Sequence, residues 1–160
     1  MTTSENEGEP ITEAGLQALK AEIQQLETVG RRDVAARILT ARGHGDLKEN
    51  AEYHAAKEDQ AHLETRIRRL RQRWRNAVVV DVADGPASAF SFGRSAEVRD
   101  EDTGEVQRWT IVGAAEADRA QGKLSAESPV AKALLDQALG ATIEVPTPRG
   151  TRRLTIQRIF

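Results

Sequence analysis

Leu16, Leu19, Ile23 and Leu26 recur in steps of three and four, the seam of a helix that packs one apolar stripe against a partner. Thr12 and Glu13 open this pattern. Gly30 interrupts it, and Val34, Ile38 and Ala41 resume it after extra residues, a break that locally unwinds or kinks a packed helix. Gly43-His44-Gly45 marks a turn, because glycine reaches backbone angles that other residues resist. A second helix is predicted from Asp46 to about Asn76. Its seam is clearest at Leu63, Ile67, Leu70 and Trp74, and it thins near the turn to Ala51, Ala55 and Ala56, where small side chains let two helices approach closely. A short connection between long helices predicts antiparallel packing. Residues 11–77 therefore read as a coiled-coil hairpin arm with its tip near 43–49, on the order of 45 Å long at 1.5 Å per residue.

The pattern changes beyond Ala77. Val78-Val79-Val80 reads as a buried strand and Asp84-Gly85-Pro86 as a linker or turn. Ser95 to Arg99 and Gln107 to Val112 flank Asp102-Thr103-Gly104, a hairpin signal. Ser128-Pro129 opens a helix with an N-cap followed by proline at the first position, and Gly140 is read as its end. Thr142 to Val145 and Arg153 to Ile159 flank Pro148-Arg149-Gly150, a second hairpin. Residues 78–160 thus predict a small α+β domain of antiparallel strands with one short helix. Residues 1–10 are polar and acidic, the composition of a flexible tail.

Composition narrows the chemistry. At 160 residues the chain has room for one domain or two small ones, and a net charge of −2 argues against a general nucleic-acid coat. The absence of cysteine excludes disulfides, Cys-based zinc sites and thiol nucleophiles. No apolar stretch approaches the ~20 residues that span a bilayer, and the first residues are not signal-like, so a cytoplasmic location is expected. No glycine-rich phosphate loop and no G-x-S-x-G elbow is present, which makes a conventional self-contained active site hard to build.

The candidate chemistry sits at the tip. Asp46 and Glu49, three residues apart, would share a helical face with Cβ atoms roughly 5–6 Å apart. Two readings compete. D-x-x-E at a helix start has the form of a capping box, with the Asp accepting from a free backbone N–H and the Glu reaching back to the N-cap amide. Alternatively the pair supplies hard oxygen ligands to a divalent cation completed by a partner. Arg42 and Lys57 flank the tip on opposite helices, as solvated charges or as contacts to a phosphate backbone. The run Arg66, Arg68, Arg69, Arg71, Arg73 and Arg75 interleaves with the seam and reads as the solvated face of the coil. His44, His54 and His62 are scattered along the arm without metal-ligand spacing.

The segment from Ala41 to Glu58, with Gly45-Asp46-Leu47-Lys48-Glu49-Asn50-Ala51-Glu52-Tyr53-His54 at its centre, resembles the tip signature of the Gre family of bacterial transcript-cleavage factors. The resemblance continues in order through Arg75-Asn76-Ala77, Ile111-Val112-Gly113, Glu116-Ala117-Asp118, Gly122-Lys123-Leu124-Ser125 and Ser128-Pro129 to Ala133-Leu134. Two departures are Ala141, where the family often carries an acid after Gly140, and the Gly85–Phe92 segment, which aligns loosely. The resemblance implies a coiled-coil arm followed by an FKBP-like α+β domain. It implies a monomeric transcription elongation factor, not an enzyme on its own, that docks on bacterial RNA polymerase and enters its secondary channel. There it stimulates the polymerase's Mg²⁺-dependent cleavage of backtracked RNA. By the same resemblance Asp46 and Glu49 share the Mg²⁺, Arg42 and Lys57 contact the nascent RNA 3′ end, and Glu127, Ser128 and Pro129 form the docking segment.

Three rivals remain. A homologue that docks in the same channel but inhibits would be favoured by loss of the tip acids, and they are present. A proline isomerase with a helical appendage needs an aromatic-lined pocket, for which Phe90, Phe92, Trp109 and Phe160 are few. A coiled-coil oligomerisation adaptor is disfavoured by the Gly30 break and the alanine-thinned seam.

Overall fold

A computed structural model describes residues 8–82 and 87–160. The chain divides into two compact units, Leu16–Ala77 and Met1–Gly15 with Val78–Phe160. The turn read at Asp84-Gly85-Pro86 and most of the tail read at 1–10 lie outside the described residues. The described end of that tail is a strand, β1 (Glu9–Ile11), which pairs with β2 (Ala77–Val79). Ile11 is the reason: its side chain is buried, and Val80 N–H donates to its carbonyl at 3.0 Å. Residues 11–15 accordingly group with the second unit instead of the arm.

The arm unit is an antiparallel helical hairpin. α1 (Glu13–Gln25) leads through a π-helical turn, Leu26–Gly30, into α2 (Arg31–Arg42), and α3 (Ala51–Asn76) returns. The π-turn lies at the seam's break. The apolar spacing stretches between Leu26 and Val34, and a wide turn absorbs the extra residue while keeping both apolar stripes on one side. At Gly30 a side chain would press on Leu63, whose Cδ1 is 3.3 Å from a Cβ built there, so glycine suits this crossing. Leu19, Ile38, Ala41, Ala56, Ile67 and Leu70 are buried along the seam. Ala41 and Ala56 provide the close approach near the tip, as the small side chains predict. Trp74 departs from the seam: it is 43% exposed, with the Lys20 ammonium 5.9 Å from its ring centroid.

Ion pairs run along both sides of the seam. Arg31 Nε donates to Glu64 at 2.8 Å, and Arg37 pairs with Asp59, Arg66 with Glu22, and Arg71 with Glu27. Part of the arginine run therefore bridges helices instead of only facing solvent. These pairs are exposed enough that each contributes little, and the buried seam carries the hairpin.

The second unit is built on a five-stranded sheet in the order β6-β5-β4-β9-β8. Its members are β4 (Ser95–Asp100), β5 (Val106–Val112), β6 (Lys123–Ser125), β8 (Thr142–Thr147) and β9 (Gly150–Ile159). The β4–β5 and β8–β9 hairpins form as their turns predict, and only β5–β6 is parallel. Period-two alternation puts Ala96, Val98, Val145, Leu154 and Ile156 on one face, where Phe90, Ile111, Ala131 and Leu134 complete the core. A small second sheet pairs β3 (Ala89–Phe90) with β7 (Gln137–Ala138). This is the α+β architecture expected.

One helix boundary differs from expectation. α4 spans Pro129–Leu134, and Gly140 does not close it. The chain leaves the helix at Leu135 (φ −60°, ψ 132°), and Asp136 adopts φ 61°, a left-handed conformation that Asp tolerates better than most residues. Asp136 N–H then donates to Phe90 O at 2.8 Å, starting the β3–β7 pairing. Gly140 (φ +83°) instead serves the turn into β8.

Candidate functional site at the hairpin tip

Residues 43–50 join α2 to α3 as turns, so Asp46 is not the start of the second helix. The N-cap is Asn50, whose Oδ1 accepts from Tyr53 N at 3.0 Å. The capping box read for Asp46 and Glu49 is therefore absent, and the pair does not share a helical face. Asp46 Oδ1 accepts from Lys48 N–H at 3.0 Å, a local turn bond. The physical reason lies in the competition between two caps: Asn50 also reaches α2, donating from Nδ2 to Ala41 O at 2.5 Å, a contact that Asp46 cannot make.

Releasing the acids from the helix leaves them open. Both are exposed, and they line one shallow tip groove with His44, Asn50, Ala51 and Glu52. Glu49 makes no hydrogen bond or ion pair with the described residues, and Asp46 keeps its second carboxylate oxygen free. Among the described residues no group of three or more His, Asp or Glu side chains is arranged to hold a metal ion. Two hard carboxylates nevertheless suit Mg²⁺ chemically, as part of an octahedral shell that other ligands would have to complete.

The flanking cations are placed differently from each other. Arg42, the last residue of α2, holds its guanidinium 5.9 Å from the Tyr53 ring centroid. Lys57 donates to Gln60 on its own helix at 2.9 Å and does not line the tip groove. The histidines have local partners: His44 Nε2 is 3.5 Å from Glu52, His54 Nε2 is 3.2 Å from Lys48 O, and His62 Nε2 is 3.7 Å from Glu58.

Glu127, Ser128 and Pro129 belong to the other unit. Ser128 Oγ accepts from Ala131 N at 3.2 Å and caps α4, with Pro129 exposed at its first turn. Ser128 and Pro129 line a groove of about 780 Å³ with Arg119, Lys123, Arg149 and Arg152. Its rim is organised by Asp100, whose Oδ1 accepts from Asp102 N and Thr103 N at 2.9 and 3.2 Å. Asp100 Oδ2 accepts from Arg152 Nε and Nη2 at 2.8 and 2.6 Å. Those Arg152 hydrogen bonds, and then the backbone ones, hold the Asp100 carboxyl below the usual carboxylate range. No aromatic residue lines this groove: Phe90 is fully buried, and the Phe160 ring centroid lies 4.1 and 4.8 Å from the guanidinium carbons of Arg108 and Arg158.

Two residues with structural weight were missed by the sequence reading. Asn50 was hidden because D-x-x-E upstream offered a more familiar capping pattern; its signal was an Asn with a helix-spaced run directly after it. Glu116 accepts from Gly113 N at 3.1 Å, a local three-residue spacing, and from Thr12 N at 3.0 Å and the Thr12 hydroxyl, partners 104 positions away that are invisible to local pattern.

A helical hairpin that presents free acids on a capped tip, followed by an α+β domain with a grooved helix start, defines an arm-and-domain factor. Two family descriptions match the chain, "Transcription elongation factor, N-terminal" over residues 9–79 and "Transcription elongation factor, GreA/GreB, C-term" over residues 85–159. The transcription elongation factor GreA of a Bradyrhizobium species is 43% identical over 150 residues, covering 94% of this chain and 95% of that protein. GreA of Nautilia profundicola is 44% identical over 151 residues, covering 94% and 93%. Among solved structures, GreA factor homolog 1 of Thermus thermophilus aligns over 96% of this chain and 99% of that one, at 25% identity and a TM-score of 0.43. The chain belongs to the GreA/GreB family of transcription elongation factors. Among its described residues no helix is long and apolar enough to cross a membrane.

Proposed function

We propose that this elongation factor acts in the cytoplasm on bacterial RNA polymerase, entering its secondary channel as a monomer and stimulating the polymerase's own cleavage of backtracked RNA. The observation that carries this is the state of the tip acids: Asp46 and Glu49 are exposed, line one groove and are not consumed by capping. With Mg²⁺ held there together with the polymerase, the chemistry supplied would be activation of water and stabilisation of the leaving oxygen. Asp46, through its free oxygen, and Glu49, through both, are the residues of this chain that would hold it. Arg42, braced against Tyr53, and Lys57 supply positive charge for the RNA 3′ end. Glu127, Ser128 and Pro129, at the rigid start of α4, make the docking contact. The factor is an accessory: it brings ligands and charge to a partner's catalytic centre.

A transcript-cleavage assay on a stalled, backtracked complex tests the reading. Wild-type chain is expected to release 3′ RNA fragments and restart elongation. The Asp46→Asn/Glu49→Gln double variant should bind the polymerase equally well and lose stimulation by orders of magnitude. Undiminished cleavage by the double variant would end the reading, and inhibition by wild type without cleavage would favour the inhibitory rival.

A further inference from the structure

The loop is exposed from Arg42 through Glu49, and Asn50, half-buried, is where it is anchored. Its side-chain oxygen accepts from Tyr53 N at 3.0 Å, and its amide donates to Ala41 O at 2.5 Å. One side chain thereby joins the last turn of α2 to the first turn of α3, across the segment that carries both acids. The residue type matters. Asp, Ser or Thr would cap α3 as well as Asn. Asp has no donor for the Ala41 carbonyl, and a Ser or Thr hydroxyl is too short to accept at one helix and donate at the other. The amide's orientation follows from its partners, since a backbone N–H needs the oxygen and a carbonyl needs the NH₂.

The other ties of the loop do not link the two helix ends: Gly43 N–H and His44 N–H donate back to Thr40 O and Ala41 O, each at 3.1 Å, within the end of α2. The Asp46–Lys48 bond is local, the His54–Lys48 contact is exposed, and the His44–Glu52 pair attracts as ions only when the histidine is protonated. The amide that Asn50 caps belongs to Tyr53, against whose ring Arg42 is braced.

We infer that Asn50 is the positioning residue of the tip: it clamps the two ends of the acid loop so that Asp46 and Glu49 are presented together, without itself contacting metal or RNA. The inference deepens the proposed cleavage function and rests on it.

Asn50→Ser and Asn50→Asp keep an acceptor for Tyr53 N while removing the bond to Ala41 O. Two measurements on the full chain decide the matter. In the free protein, backbone relaxation and amide exchange should show residues 43–50 losing order in both variants while α3 beyond Lys57 is unchanged. In the cleavage assay, the maximal rate should fall about tenfold or more, since misplacing a reacting group by about 1 Å can cost 100-fold. The half-saturating factor concentration should stay the same, and added Mg²⁺ should recover part of the rate by mass action. Simple unfolding of the arm would instead raise the half-saturating concentration and would not respond to Mg²⁺; that pattern would overturn the inference. So would unchanged loop order, or an unchanged maximal rate where Asp46→Asn abolishes cleavage. A wild-type chain that stimulates no cleavage would overturn the functional reading, and the positioning role with it, whatever the loop measurement shows.

Discussion

Gly15, in the first turn of α1, is a glycine whose replacement by alanine should destabilise the protein, against the expectation from helix propensity. On propensity alone Gly15→Ala would stabilise by up to about 1 kcal/mol. A Cβ at this position, however, would sit 2.6 Å from Glu116 Cγ and closer still to its carboxylate. The Glu116 side chain is flexible and can withdraw, so the cost is not steric overlap but the bonds it gives up. Those are the donations from Thr12 N at 3.0 Å, Gly113 N at 3.1 Å and the Thr12 hydroxyl. Thr12 also caps α1, accepting from Gly15 N at 3.0 Å, so the cap loses its support as well. Stranding part-buried donors of this kind costs about 1–3 kcal/mol each, reduced where water replaces the carboxylate. A total loss of about 2–4 kcal/mol, less the propensity gain, leaves a net destabilisation of about 1–3 kcal/mol. Urea denaturation read by Trp109 in a Trp74→Phe background follows the unit that contains Gly15 and Glu116. The double-mutant cycle is the sharper check: with Glu116→Ala already in place, Gly15→Ala should become neutral or stabilising. A stabilising Gly15→Ala in the wild-type background would refute the reasoning.

Asp100→Asn should lower the urea midpoint at pH 7, because its amide would face the Arg152 donors. The folded-state carboxyl is depressed, so its contribution is in place above the ordinary value of about 3.9 and is lost as pH falls through the lowered one; the gap to wild type should narrow as pH falls below the ordinary carboxylate range. Pro129→Ala should weaken polymerase binding in a competition assay while the circular dichroism spectrum is unchanged, and unaltered affinity would remove this segment from the docking surface. Free protein should bind Mg²⁺ only feebly by calorimetry, since two carboxylates complete only part of an octahedral shell; a tight stoichiometric site would show that the chain carries its own metal centre.

Periodicity by itself determined the helical hairpin, its antiparallel sense and the two β-hairpins, because apolar spacing and turn residues act locally. The break at Gly30 was also legible, though its resolution into a π-turn required knowing that Leu63 packs opposite. Tertiary structure alone decided the tip. Asp46 and Asn50 are both good helix caps by sequence, and the choice between them turned on the Ala41 carbonyl, nine positions back along the chain but within reach of Asn50 in space. The same holds for β1, where a polar tail ends in a strand because Ile11 finds a buried site and its carbonyl a partner at Val80. It holds for α4, which stops at Leu134 because the Asp136 amide is taken up by Phe90. Local pattern names the groups able to cap, pair or terminate. Which of them does so depends on a partner that only folding brings within hydrogen-bond distance.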